Sequence, residues 1–196
     1  MNRENLQLIG CGILRKEVKW LIEKNDWPMD TNLLASALHS ELDKLERGLK
    51  GSLVKFRDRK TIVFYGCCHP LMDQILEEGD TLRTEGQNCV EMVLGNERFT
   101  EELLKGAFFL FEDWALHWDH ITKVTFGHHP EIMRDIFQGD RKYFLALRTP
   151  CSGDFTAEAE RAAQQVGLPL QWLDVGLEHL ESVMREAIER KLAGKK

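Results

Sequence analysis

The stretch Thr61–Pro70, TIVFYGCCHP, joins a short apolar run to a group of soft metal ligands. Its β-branched and aromatic start is typical of a buried strand, and the run stops at Gly66. Two thiols and an imidazole follow at once, in Cys67, Cys68 and His69. Because ligands bind beyond the carboxyl ends of strands in an open α/β sheet, this stretch predicts a site at a strand end.

Strand and helix patterns alternate on both sides of this stretch. Apolar runs predict strands at residues 6–9, 33–35, 61–65, 82–84, 107–111, 143–147 and 170–175. Helical spacing predicts helices over residues 13–24, 39–49, 71–78, 90–94, 98–105, 155–166 and 177–192. The aromatic run at 107–111 favours a central strand. Gly48 and Gly51 are expected to weaken the end of the helix predicted from residue 39. Gly79-Asp80 is expected to end the helix predicted over 71–78.

This alternation predicts an α/β fold in which a mostly parallel sheet carries helices on both faces, a Rossmann-like three-layer arrangement. We expect one domain over residues 1–196. The alternative is two lobes, a cysteine-bearing lobe over 1–106 and a C-terminal lobe over 107–196.

Composition excludes several classes of function. The formal charge of −6 leaves no basic surface for nucleic acid, and only Lys195-Lys196 is locally basic. The start of the chain lacks the apolar core of a signal peptide, and no run of about 18 apolar residues could cross a membrane. We therefore expect a cytoplasmic protein, whose five cysteines stay reduced and serve as metal ligands, catalytic groups or core residues.

Three of the cysteines follow a predicted strand or begin a predicted helix: Cys11, Cys68 and Cys89. Parallel strands would bring them to one edge of the sheet, where three thiolates could hold zinc or a [4Fe–4S] cluster with one position open. Asn88 is a predicted N-cap with Glu91 as its capping-box partner, so we expect the helix start to lower the pKa of Cys89. Packing of the thiols in the core is the alternative.

Nearby groups complete the predicted site. Glu17, His39 and His69 are the candidate catalytic acid–base groups. Three glycines, Gly10, Gly12 and Gly66, would let backbone N–H groups approach a cofactor, or would allow tight turns. Whether Cys67, Cys151 or His69 is a further ligand stays open at this point.

Several motifs together resemble the domain of unknown function 1638 family. They are Cys-Gly-x-Leu-x-x-Glu at Cys11–Glu17, Leu38-His39, Tyr-Gly-x-Cys at Tyr65–Cys68, Cys-x-x-x-x-Leu-Gly at Cys89–Gly95, the strand and tryptophan at Phe108–Trp114, and the segment Val175–Leu180. The resemblance spans nearly the whole chain. Carried over by motif, the family's thiols fall on Cys11, Cys68 and Cys89, whereas Cys67, His69 and Cys151 depart from the family pattern.

The resemblance implies a cytoplasmic protein of anaerobic archaea or bacteria that serves corrinoid-dependent, one-carbon methyl metabolism. It favours a [4Fe–4S] cluster over zinc by analogy, and it implies a corrinoid only through a partner, a corrinoid protein or a methyltransferase. Two alternatives remain: a zinc-thiolate enzyme of methyltransferase or hydrolase type, and a structural partner protein without metal. The long last helix and the tryptophans would also allow a homodimer.

Overall fold

A computed structural model describes residues 5–78 and 81–194, and its strands form two parallel sheets. The first sheet has the order β2-β1-β3-β4, formed by β1 (Leu6–Cys11), β2 (Met29–Leu34), β3 (Thr61–Phe64) and β4 (Leu82–Arg83). The second has the order β5-β6-β7, formed by β5 (Ala107–Phe111), β6 (Tyr143–Arg148) and β7 (Leu170–Asp174). All neighbouring strands are parallel, which confirms the predicted α/β class, but the strands are divided between two sheets.

Helices connect the strands and cover the sheets. In chain order they are α1 (Arg15–Lys24), α2 (Leu42–Lys55), α3 (Met72–Glu78), α4 (Cys89–Leu94), α5 (Asn96–Leu104), α6 (Glu112–Leu116), α7 (Trp118–Phe126), α8 (Pro130–Asp140), α9 (Thr156–Val166) and α10 (Glu178–Leu192). Short 3₁₀ turns precede α1 and α2, at Gly12–Leu14 and Ser36–Ser40. None of the helices that the structure describes is long and apolar enough to cross a membrane.

The structure corrects three details of the predicted elements. Strand β2 begins at Met29, because β1 supplies a parallel partner from its own first residue. Helix α2 continues past both of its glycines to Lys55, held by the buried Leu45 and Leu49. Strand β5 is an edge strand of the described sheet rather than a central one. The predicted helix end at 79–80 and the basic tail at 195–196 lie outside the described residues.

The largest hydrophobic cluster joins the two sheets. It contains Leu6 and Phe64 from the first sheet and Tyr143 and Leu147 from the second. Helix α10 contributes to the same cluster and packs against α4, β3 and β4. The last helix of the chain therefore covers the first sheet, across the boundary between the two predicted lobes.

Polar contacts tie the carboxyl ends of the two sheets together. Lys16, in the helix after β1, lies 2.7 Å from a carboxylate oxygen of Glu112, which follows β5. Thr149, which follows β6, donates a hydrogen bond of 2.7 Å from its hydroxyl to Glu17 in α1. The loops at the carboxyl ends of β1, β5 and β6 therefore meet.

Glycine allows the crossovers of the first sheet to pack tightly. A Cβ at Gly66 would overlap the carbonyl oxygen of Gln87, and a Cβ at Gly10 would lie 2.8 Å from Cβ of Phe64. The loop after β3 also hydrogen-bonds to the loop before α4, because the N–H of Cys67 donates to the Gln87 carbonyl at 2.7 Å. These contacts bring the segments that carry Cys68 and Cys89 side by side.

We expect Gly66→Ala to reduce the free energy of unfolding by about 1–3 kcal/mol, because the added methyl group overlaps backbone that cannot rotate away. Urea unfolding monitored by circular dichroism measures the change. Gly51→Ala is the matched control, since no atom of the described residues lies within 4 Å of its Cβ position, and it should stabilise α2 by up to about 1 kcal/mol. Equal stability of the two variants would contradict the assigned role of Gly66.

Candidate functional site

A cavity of about 320 Å³ lies at the carboxyl end of the first sheet and extends along β5. The thiol-bearing residues Cys11, Cys68 and Cys89 all line it. Its apolar wall is formed largely by aromatic rings, from Phe64, Phe99, Phe108, Phe109, Phe111 and Trp114. The structure therefore places the three cysteines in one cavity, at the strand ends where open α/β sheets bind ligands.

Each of the three thiols comes from a different connection. Cys11 ends β1, Cys68 lies between β3 and α3, and Cys89 is the first residue of α4. The strands β1, β3 and β4 are neighbours in the sheet, so their crossovers are adjacent in space although they are distant in sequence. All three are free cysteines, as are Cys67 and Cys151.

Burial keeps these thiols protonated. Desolvation raises the pKa of Cys11 to about 12, and it raises the pKa of Cys68 and of Cys89 as well. The negative charge of one ionised thiol would further raise the pKa of another, since Cys89 interacts electrostatically with Cys11 and Cys68. The expectation that the helix start lowers the pKa of Cys89 is wrong, because desolvation outweighs the backbone hydrogen bonds that act in that direction.

The N-terminus of α4 is capped much as the sequence predicts. The Asn88 side-chain oxygen accepts hydrogen bonds of 3.0 Å from the N–H groups of Val90 and Glu91. The Glu91 carboxylate reaches back to the N–H of Gln87 at 2.9 Å, one residue earlier than in a standard capping box. This cap holds Cys89 at the wall of the cavity.

His39 is the predicted acid–base residue that reaches the cavity. Its ring packs edge-on against Trp114, with centroids 5.7 Å apart. Burial lowers the pKa of His39, which keeps the imidazole neutral. Beside it the Ser36 hydroxyl, which also lines the cavity, donates a hydrogen bond to the Asp113 carboxylate.

Glu17 and His69 are not brought to this cavity. Glu17 is 5% exposed and accepts the hydrogen bond from Thr149. The Nδ1 atom of His69 accepts a hydrogen bond of 3.0 Å from the Leu71 N–H, and its Nε2 atom lies 3.9 Å from a Glu46 carboxylate oxygen. Both imidazole nitrogens are therefore directed at local partners.

The two remaining cysteines differ in their surroundings. Cys67 is exposed, and its sulfur lies 3.8 Å from a guanidinium nitrogen of Arg83. Cys151 lies in the turn after β6, where its N–H donates to the Thr149 hydroxyl at 3.2 Å and burial raises the pKa of its thiol. Neither residue lines the cavity that the other three share.

The three predicted cofactor-binding glycines all face neighbouring protein. A Cβ at Gly12 would lie 2.7 Å from the Leu34 carbonyl oxygen, and Gly10 and Gly66 are as closely covered. Gly66 also lines the cavity. The space that these glycines leave is thus occupied by adjacent crossovers.

Two buried polar atoms beside the cavity were missed by sequence reasoning. The Tyr65 hydroxyl and the Trp114 indole Nε1 are buried and have no hydrogen-bond partner within the part of the chain that the structure describes. Both residues line the cavity, and the phenol interacts electrostatically with Cys11 and Cys68. The sequence feature that could have identified them is their position just after β3 and β5, since ligands bind beyond the carboxyl ends of the strands in a parallel sheet.

Within residues 5–78 and 81–194, no three His, Cys, Asp or Glu side chains are grouped so that they could hold a metal ion. The three cavity cysteines share one lining but are not drawn together around a single point.

The model of a protein family described as "Protein of unknown function (DUF1638)" matches residues 33–184. The chain belongs to this family. The matched range includes Cys68 and Cys89, whereas Cys11 precedes it. No curated protein and no solved structure matches this DUF1638 chain.

Glu17 gives this DUF1638 chain a pH-dependent stability. Burial raises the pKa of its carboxyl group, so the folded protein favours the protonated form. Relative to a neutral isostere, the group costs stability as the pH rises above its ordinary value of about 4.3, and the cost is complete above the folded pKa.

We therefore expect Glu17→Gln to unfold at higher denaturant concentration than the wild type at pH 8, and at the same concentration near pH 4. The Gln side chain keeps an oxygen that can accept the Thr149 hydrogen bond. Urea titrations across this pH range measure the difference. A variant that is less stable than the wild type at pH 8 would contradict the role of burial.

Proposed function

We propose that this chain is a metal-binding protein in which Cys11, Cys68 and Cys89 hold a soft-metal centre, with a [4Fe–4S] cluster as the first candidate. The observation that carries the proposal is the convergence of three thiols from three crossovers on one cavity. We place the protein in the cytoplasm, where such thiols stay reduced.

The donor set fits a soft metal. Thiolates are the ligands of iron–sulfur clusters and a common ligand of zinc, and three of them leave one coordination position open. The cavity has a volume of about 320 Å³ beside the thiols, and much of its wall is aromatic. Binding requires the loops to draw the sulfurs together, because the cysteines line the cavity without forming a closed group.

The surrounding residues have defined roles in this proposal. Asn88 holds the first turn of α4 and with it Cys89, while Gly66 lets the Cys68 loop pack against residues 87–88. The neutral imidazole of His39 is available to accept a proton at the cavity wall. A cluster bound here would supply one-electron transfer or an open iron site.

A zinc-thiolate enzyme of methyltransferase or hydrolase type is the second candidate. The neutral His39 favours it, because a general base must be unprotonated to act near neutral pH. Zinc held by the same thiols would activate a substrate thiol or water. His39 would then move the proton, whereas Glu17 and His69 do not line the cavity and are engaged with other partners.

The place of the protein in methyl metabolism rests on the family resemblance. We propose a corrinoid protein or a methyltransferase as its partner, and a corrinoid reaches the site only through that partner. A homodimer also remains a proposal; Trp20, on the outer face of α1, is 42% exposed and would be available for such a contact.

We expect anaerobically purified protein to carry stoichiometric metal, and Cys11→Ser, Cys68→Ser and Cys89→Ser each to lose most of it, since each removes one of three thiolate ligands. Elemental analysis measures the content. Iron and sulfide with absorption at the blue end of the visible spectrum identify a cluster, and colourless zinc identifies the second candidate.

Cys67→Ser is the matched control for Cys68→Ser, because it changes the adjacent residue to the same side chain outside the cavity lining. Cys151→Ser is a second control, at a half-buried turn outside the cavity lining. Both should retain the wild-type metal content. Metal-free wild-type protein, or equal loss of metal in the control variants, would refute the proposal.

A further inference from the structure

Two of the residues that line the thiol cavity carry a buried hydrogen-bond donor. Tyr65 is 4% exposed, and neither its hydroxyl nor the Trp114 indole N–H has a hydrogen-bond partner among the described residues. A buried polar group without a hydrogen bond destabilises the folded protein, so two such groups in one cavity call for an explanation. Indole can only donate, so the missing partner of Trp114 must be an acceptor.

The cavity wall offers aromatic surface for the body of a ligand. Phe99 stacks on Phe109 with centroids 5.4 Å apart, and Phe108 packs against Trp114 at 6.4 Å. A volume of about 320 Å³ is at the lower end of the range for small-molecule pockets. A small molecule with a compact apolar body fits this space.

The charges of the lining favour an anion. Among the described residues that line the cavity, Arg141 is the one lysine, arginine, aspartate or glutamate side chain. Its guanidinium lies 3.0 Å from the carboxylate of its neighbour Asp140, which is largely exposed. An exposed pair of this kind contributes little, and it leaves other guanidinium N–H groups available.

We propose that the cavity binds a small carboxylate with an apolar body, whose oxygens accept the hydrogen bonds of Tyr65 and Trp114. A carboxylate has about four acceptor positions, enough for both donors, and its apolar body lies against the phenylalanine wall. This inference names the substrate class of the cavity, and it rests on the proposed function for the part that the thiols would play.

Benzoate is the probe, and toluene, which has no acceptor, is its matched comparison. Both are titrated into anaerobic, reduced, metal-free protein labelled with ¹⁵N at the indole nitrogens. We expect saturable benzoate binding at roughly millimolar concentration or below, as the small size of the ligand allows. The Trp114 N–H signal should move downfield, whereas the signal of Trp118, which already donates to Gln165 at 2.9 Å, should not move.

Substitutions that remove the donors but keep an aromatic side chain test the assignment. Tyr65→Phe and Trp114→Phe should each weaken benzoate binding by roughly three- to tenfold and leave toluene binding unchanged. Tyr143→Phe and Trp172→Phe are the matched controls, since neither residue lines the cavity, and both should bind benzoate like the wild type. Thermal unfolding of all four variants verifies that each is folded.

Failure of benzoate to bind, equal affinity for benzoate and toluene, or unchanged affinity in both donor variants would overturn the inference. Iron and zinc uptake by the same preparations is measured separately. Benzoate binding without metal uptake would refute the proposed function alone, and metal uptake without benzoate binding would refute this inference alone.

Discussion

The close approach of two crossovers in the first sheet is the constraint on which the site depends. The backbone after β3 touches the backbone before α4, and this is sterically possible because residue 66 has no side chain. Gly10 likewise allows β1 to approach the Phe64 side chain closely. With larger residues at these positions the strand ends would move apart, and Cys11, Cys68 and Cys89 would no longer share a cavity.

Burial controls the electrostatics of this cavity. The start of α4 presents backbone N–H groups that favour a thiolate at Cys89, but the apolar surroundings oppose any isolated charge more strongly. The same competition keeps His39 neutral. A metal bound here would have to displace the protons of the thiols, since thiols bind metal as thiolates. An anion would instead accept the hydrogen bonds of Tyr65 and Trp114.

The unsatisfied donors of Tyr65 and Trp114 are consistent with a cavity that binds a ligand. Most of the chain follows the rule that buried polar groups are paired, as in the hydrogen bonds of Thr149 to Glu17 and of Trp118 to Gln165. Tyr65 and Trp114 break that rule on the wall of one cavity. Departures from otherwise consistent packing are expected at functional sites, where a ligand supplies what the fold omits.

Local sequence signals determined the elements and their order. The apolar runs at β1, β3, β5, β6 and β7, the Asn88 cap and the glycine turns are each readable over a few residues, because strand burial and helix capping depend on near neighbours. The parallel arrangement also followed from the alternation of elements. The sequence alone thus predicted that Cys11, Cys68 and Cys89 lie at strand ends.

Tertiary structure decided what those residues meet. It divided the strands between two sheets, with β5 at an edge, and it packed α10 against the first sheet. It also brought Tyr65 and Trp114 to the cavity, whereas Glu17 and His69 lie outside the cavity lining. It also reversed the expected pKa shift of Cys89. These outcomes depend on the packing of segments far apart in the chain, and desolvation arises only when such segments close around a group.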